Sequence, residues 1–325
     1  MTHKPCCDFF VASCVEDGGA YRYRLYEDGS TELLYKIPMP MPMYLTLNGS
    51  GLWAVLRAPF ADSEDSGYGL YDPKDGRLLQ EIRSTGGACG CHIAAKNGIV
   101  YVANYLGGSV FGSPDGLDVH TGTGPNPKRQ AAPHPHSVAL SPDGRHLLSC
   151  DLGLDAVFVY DRFLHRVTQG HVPPGAGPRH TAFSVHGMQL YCINEMGGSI
   201  STFAWDAPHL TLLDTISILP EGFTGVGSGS AIKASQYGKR LYATERASAT
   251  IVTLETDGDR LSVLAHTDAM GKEPRDFTLL ANERFAVCTN QFSDNLSLYR
   301  LDEQGIPQYL YSLPLPAPLC AIEIG

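Results

Sequence analysis

The hydrophobic positions of this chain fall in short alternating or continuous blocks, not at the 3.6-residue spacing of an amphipathic helix. The pattern therefore predicts strands, and no helix longer than a turn or two. The clearest block is PHPHSVALSPDGRHLLSCDLGLDAVFVYD, residues 133–161. One apolar run opens at His136, a turn falls at Pro142-Asp143-Gly144, a second run ends at Cys150-Asp151, and a third follows Asp155. The same plan returns as GPRHTAFSVHGMQLYCINEMGGSISTF, as GSAIKASQYGKRLYATERASATIVTL and as EPRDFTLLANERFAVCTNQFSDNLSLY. Upstream, PMPMYLTLNGSGLWAVLRA with YGLYDPKDG, and then GCHIAAKNGIVYVANYLGGSVFGS, are two further copies.

The residues opening the first strand of each copy are Tyr44, His92, His136, His180, Ala231, Asp276 and Cys320, separated by 48, 44, 44, 51, 45 and 44 residues. A period of about 40–50 residues with roughly four strands per copy is the signature of a β-propeller. The predicted fold is thus all-β, a seven-bladed β-propeller, with residues 1–325 forming a single domain. The seventh copy has one strand only, PLCAIEIG, so DFFVASCV, AYRYRLYE and TELLYKI at the other end of the chain are expected to complete it. That pairing closes the ring and leaves no open sheet edge at the seam. Two polar loops rich in Gly and Pro interrupt the period, at 113–133 and 219–230, and long loops in compact domains are often functional.

Composition narrows the class. Hydrophobic residues make up 43%, enough for a large core, and the 35 Gly and 22 Pro suit many short strands joined by turns. No apolar run nears the roughly 18 residues of a membrane helix, and MTHKPCCDFF lacks the apolar segment of a signal peptide, so a cytoplasmic chain with no membrane partner is expected. A net charge of −10 argues against nucleic acid as a partner. Of the nine cysteines, Cys150, Cys192 and Cys288 fall late in second strands, where a small apolar residue fits, and read as buried free thiols of a reducing compartment. The Cys6-Cys7 and Cys89-Gly90-Cys91 spacings are poor matches to zinc ligands, so no metal site and no cofactor are expected.

Superposing the copies on the glycine of the first turn (Gly49, Gly98, Gly144, Gly187 and Gly238, with Glu283 standing in for the sixth) aligns the chemistry. Eight residues before it lie His136, Arg179, Ser230 and Arg275. Eight residues after it lie Arg57, Leu152, Glu195, Arg246 and Gln291, with Tyr105 aligned by one deletion. Strand direction alternates outward through a blade, so both columns reach the same mouth of the central channel. Arginines, a histidine and a carboxylate converging there read as an anion pocket with acid–base groups. The column one residue earlier, Asn104, Asp151, Asn194, Glu245 and Asn290, reads as structural, because such side chains hydrogen-bond their own turns. His92 reads as a strand histidine, and His180, one residue past the channel position, reads equally well as facing the blade interior.

At these residues the chain resembles the lactonase family of seven-bladed propellers, which includes the propeller-type 6-phosphogluconolactonases and the fungal 3-carboxymuconate lactonizing enzymes. The matching strings are RQAAPHPHSVALSPDGR, DLGLDAVFVY, GPRHTAFSVHG, INEMGGSI, and EPRDFTLL followed by TNQFSDNLSLY; VANYLGGSV extends the match to the second copy. The resemblance places the family's pocket histidine on His136, its Pro-Arg-His arginine on Arg179, its Asn-Glu glutamate on Glu195 and a further pocket arginine on Arg246. Glu245 departs from the family's Ser-Asn-Arg string and puts the support of Arg246 in question. The first copy matches poorly, so Arg57 rests on register alone.

The resulting expectation is a metal-independent hydrolase of an anionic sugar lactone, 6-phosphogluconolactone foremost, its product feeding the pentose phosphate pathway. His136, Glu195, Arg179 and Arg246 would be catalytic. Arg57, His134, His180, Arg275 and Gln291 would bind the small anionic substrate, a phosphorylated sugar lactone or a dicarboxylate. His136 or Glu195 would deprotonate water, and an arginine would stabilise the oxyanion. An ionised Glu195 would favour the imidazolium of His136. A muconate-type cycloisomerase would use the same groups to hold carboxylates and protonate carbon. A non-catalytic binding propeller would lack the converging pocket, and a metal-dependent gluconolactonase would need several carboxylates where the register supplies Glu195.

Overall fold

The computed structural model describes residues 4–49, 51–60, 63–258 and 260–324. They form seven four-stranded antiparallel sheets arranged as the blades of a propeller. Blades 1 to 6 occupy 42–88, 90–119, 135–171, 178–217, 229–268 and 274–314, each with its first strand innermost. Blade 7 takes its innermost strand, Pro318–Ile324, from the end of the chain and its outer three, Pro5–Ser13, Gly19–Tyr26 and Thr31–Pro38, from the beginning. Phe10 pairs with Ile322 and Ala12 with Cys320, the ring closure that the incomplete seventh copy implied. Gly325, the last residue of the PLCAIEIG string, lies outside the described residues.

Why the strands read as near-continuous apolar runs is visible in blade 7. Phe9 and Val11 pack into a cluster with Leu280, Phe285 and Val287 of blade 6, while Phe10 and Ala12 pack with Leu45, Leu52 and Ala54 of blade 1. Side chains alternate between faces, and both faces are covered by a neighbouring blade, so both parities must be apolar. The core is therefore a set of clusters between consecutive blades. The 113–133 segment, read as loop throughout, begins as structure: Gly116–Val119 is the outer strand of blade 2 and pairs with Ser109–Gly112. Four residues of Gly-Leu-Asp-Val alternate weakly, and only the partner strand makes them a strand.

A β-bulge recurs at one position in every innermost strand. Register breaks leave Met43, Cys91, His136, Arg179, Arg275 and Leu319 unpaired in blades 1, 2, 3, 4, 6 and 7, and Ser230 with Ala231 in blade 5. A bulge inserts one residue and re-aims its side chain. The four residues of the first aligned column, His136, Arg179, Ser230 and Arg275, are all among them, so the column follows the bulge.

Ring closure should dominate stability. Phe10→Ala, which removes a fully buried ring between blades 7 and 1, is expected to cost about 3–5 kcal/mol in urea unfolding. Leu33→Ala on the outer strand of the same blade, 51% exposed, is expected to shift stability by no more than about 0.5 kcal/mol. Equal effects would show that the seam is not where blade 7 is held.

Candidate active site

The second column is held as uniformly as the first. The backbone N–H groups of Arg57, Tyr105, Leu152, Glu195, Arg246 and Gln291 donate to the carbonyls of Met41, Cys89, His134, Gly177, Ser228 and Glu273, at 2.7–3.0 Å. One bond, repeated in six blades, fixes where the chain leaves the second strand, and it includes Tyr105 across the one-residue deletion. The intervening Asn/Asp column acts as staples. Asn104 donates to the Thr85 carbonyl, Asn290 to that of Ala269, and Asp151 accepts from the N–H groups of His134 and Gly153. Glu245 plays the same part: buried, it accepts from the N–H groups of Ser228 and Ser248. The Ser228 carbonyl in turn receives the backbone N–H and Nε of Arg246, so the departure at Glu245 supports Arg246.

The two columns enclose a cavity of about 350 Å³ at one end of the channel. One wall is apolar and sulfur-rich, with Met43, Cys89 and Cys91; the other carries His136, Glu195, Arg246 and Arg275, with Arg57 and Arg129 also lining the space. Glu195 is the hub. Its Oε1 lies 2.5 Å from Arg129 Nη2, and its Oε2 lies 3.0 Å from Arg246 Nη2, 3.2 Å from Arg179 Nε and 3.8 Å from His136 Nε2. Glu273 bridges outward, 2.9 Å from Arg246 Nη1 and 3.8 Å from Arg275 Nη1.

Burial works against a charge on Glu195, but Arg246, Arg179 and Arg129 outweigh it and hold the carboxyl well below the usual carboxylate range. His136 goes the opposite way to expectation. Its burial and the neighbouring Arg179 push its pKa well below 6.5 and override Glu195, so the imidazole is neutral at neutral pH. The anticipated imidazolium fails because the cost of burying its charge, added to repulsion from Arg179, exceeds the attraction of Glu195. Burial, Arg275 and Arg246 lower even Arg179 to about 9.

Several nominated residues sit elsewhere. Arg179 is buried beneath the cavity and does not line it; its Nη1 donates to the Ser230 carbonyl at 2.7 Å. His180 belongs to a second cavity of about 360 Å³ farther along the same inner strands, with Tyr44, His92 and Lys233. The bulge at Arg179 turns successive side chains apart, Arg179 beneath the first cavity and His180 into the second, and His180 Nε2 meets Arg179 Nη1 at 3.2 Å. His134 stacks on Tyr105 with ring centroids 4.5 Å apart and its Nδ1 lies 3.0 Å from the Tyr105 carbonyl, so it positions Tyr105 and does not line the cavity. Gln291 keeps the column's backbone bond but opens a 3₁₀ turn, Gln291–Ser293, and stays outside the lining.

Arg129, Tyr105 and Glu273 were not nominated. Tyr105 stood in the aligned column. Glu273 immediately precedes the Pro-Arg pair of blade 6, where register marked Arg275. Arg129 lies on the aperiodic loop before blade 3, where superposition has no purchase.

Comparison with known proteins agrees with this architecture. The family described as Lactonase, 7-bladed beta-propeller, matches residues 9–321, and the chain belongs to it. A 6-phosphogluconolactonase of Bacillus subtilis is 30% identical over 251 residues, 71% of this chain and 72% of that protein. One from Serratia proteamaculans is 28% identical over 316 residues, 90% and 91% of the two chains. The solved structure of a periplasmic gluconolactonase from Pseudomonas aeruginosa superposes with a TM-score of 0.88 at 28% identity, covering 98% of this chain and 99% of that one.

The channel histidines make stability depend on pH. Burial lowers the pKa of His136, His180 and His92, the last to about 3 from 6.5. Below pH 6.5 the unfolded chain takes up protons that the folded chain refuses, so stability is full above that value and is lost as pH falls. Each histidine can contribute up to about 1.4 kcal/mol per pH unit. The thermal midpoint should fall between about pH 6.5 and 5, and His92→Phe should flatten the slope; a midpoint constant over that window would mean the histidines are protonated in place.

Proposed function

We propose that this lactonase-family propeller hydrolyses a sugar lactone that carries an anionic group, with 6-phosphoglucono-1,5-lactone as its first candidate substrate. The observation that carries the reading is the charge imbalance at the cavity: Arg57, Arg129, Arg179, Arg246 and Arg275 stand against Glu195 and Glu273, leaving three positive charges uncompensated in a protein of net charge −10. Guanidinium forks match phosphate and carboxylate oxygens. The apolar wall of Met43, Cys89 and Cys91 offers the uncharged face of a lactone ring a surface to lie against. The names of the Bacillus and Serratia relatives support the same substrate class.

In this reading water attacks the lactone carbonyl carbon and gives one proton to Nε2 of neutral His136. The carbonyl oxygen becomes an alkoxide, stabilised by Arg246 or Arg275. The alkoxide re-forms the carbonyl as the ring C–O bond breaks, and the proton passes from His136 to the departing ring oxygen. The products are a carboxylic acid, which ionises, and a free hydroxyl. Glu195, ionised and 3.8 Å from His136 Nε2, steadies the transient imidazolium. Its strongly lowered pKa makes it a weak base, so its part is electrostatic. Substrate negative charge would offset the arginines that depress His136 and so raise its basicity on binding.

Nine free cysteines, with Cys150 and Cys192 Sγ 3.8 Å apart and unbonded, fit a reducing compartment and support a cytoplasmic location, although one relative is periplasmic. The described residues contain no helix long and apolar enough to cross a membrane.

Lactone hydrolysis, followed by proton release, should be faster in kcat/KM with the phosphorylated than the unphosphorylated gluconolactone, and should persist with chelator. His136→Ala should lower kcat about 10²–10⁴-fold with an intact fold. Arg275→Ala should raise KM for the phosphorylated substrate about tenfold or more. Turnover abolished by chelator, or full turnover in His136→Ala, would defeat this mechanism.

A further inference from the structure

Arg129 differs from the other guanidiniums of the cavity in how it arrives. Arg57 lies on a second strand, Arg246 follows one, and Arg179 and Arg275 sit on inner-strand bulges, whereas Arg129 is carried by the 120–134 connection between blades 2 and 3. Its backbone is fixed. Gln130, fully buried, donates to the Leu152 carbonyl and to Asp155 Oδ1, both at 2.8 Å, and accepts the Asn126 N–H at 3.0 Å. Asn126 Oδ1 accepts the N–H groups of Lys128 and Arg129 at 3.0 and 3.2 Å. The loop presses against Gly153, where any Cβ would collide with the Ala132 carbonyl.

Its side chain is held far more lightly. The Arg129 side chain is 45% exposed, against 3% for Arg179 and 8% for Arg246. It touches Glu195 Oε1 at 2.5 Å and the Tyr105 hydroxyl at 3.4 Å. The carboxylate is therefore divided by oxygen. Oε2 belongs to the buried pair Arg179 and Arg246, while Oε1 is engaged by a solvent-facing cation on a fixed stalk. A buried ion held by desolvated partners stays put; an exposed ion pair is worth little and exchanges readily.

We propose that Arg129 is an exchange residue: on substrate binding its guanidinium leaves Glu195 Oε1 for the anionic group of the substrate, and the freed Oε1 accepts a hydrogen bond from the attacking water. The inference rests on the lactonase reading above and adds to it the residue that couples recognition of the anion to preparation of the water. Oε2 remains with Arg179 and Arg246, so Glu195 keeps its place while one of its oxygens becomes available. His136 Nε2, 3.8 Å from Glu195, then receives the other proton of the same water.

The test compares wild type, Arg129→Ala and Arg129→Lys on phosphorylated and unphosphorylated glucono-1,5-lactone, and measures the binding of inorganic phosphate to each protein by calorimetry. Arg129→Ala should raise KM for the phosphorylated lactone about tenfold or more. The preference for the phosphorylated over the unphosphorylated lactone, read as the ratio of their kcat/KM values, should fall about tenfold or more. Arg129→Lys should recover part of the phosphorylated-substrate KM, as a point charge without the fork. Phosphate affinity should fall about tenfold in Arg129→Ala. Equal losses of kcat on both lactones would overturn the proposal by making Arg129 a fixed support of Glu195, and so would kinetics unchanged on both. If wild type hydrolyses neither lactone, the lactonase reading fails by itself and the phosphate arm decides: weaker binding in Arg129→Ala keeps Arg129 as the anion's ligand, and equal or absent binding overturns it.

Discussion

The antiparallel pairing of Pro318–Ile324 with Pro5–Ser13 is the constraint on which the rest of the molecule depends. Each blade buries both faces only because a neighbour covers each, and a ring gives every blade two neighbours. Without the closing pair, blade 6 would lose Phe9 and Val11, and blade 1 would lose Phe10 and Ala12. The channel exists because the ring closes, and the cavity at its mouth draws lining residues from six of the blades and from the loop between blades 2 and 3.

Within that ring a local irregularity does the chemical sorting. The bulge at the head of each inner strand parts one side chain from the next, and in blades 1 to 3 the first lines the mouth while the next lines the rear cavity. In blades 1, 2 and 7 it presents Met43, Cys91 and Leu319, and in blades 3, 4 and 6 it presents His136, Arg179 and Arg275. One backbone device thus gives an apolar side and a cationic side to the same channel end. The rear cavity inherits the alternate residues: His92, His180, Tyr44 and Lys233, the last paired with Asp276 at 3.3 Å.

Electrostatics then sets the protonation states, and no single pair decides them. Glu195 stays ionised in spite of burial because several cations surround it, and His136 stays neutral beside that carboxylate because burial first, and then Arg179 and Arg275, disfavour its charged form. A lone Glu–His pair would have settled as carboxylate and imidazolium. Burial, with Arg179 and Arg275, reverses the second half of that outcome and leaves a neutral imidazole among guanidiniums.

Much of this was legible in the chain alone. The strand blocks, the spacing near 44 residues and the orphan strand at the end specify seven blades and their closure, because side-chain alternation and turn chemistry are local and repeat with the sequence. The same register brought His136, Glu195, Arg246, Arg275 and Arg57 to one mouth, and their shared backbone bonds and bulges show why a fixed offset from a turn glycine works. Tertiary structure alone decided the rest. A bulge invisible in the alternation pattern took His180 to the other cavity and set Arg179 below the floor. A loop without periodicity, anchored through Gln130 to residues about twenty-five positions ahead, delivered Arg129 to Glu195. The charge state of His136 is a sum over groups from several blades, and such a sum has a value only after the fold has fixed every distance in it.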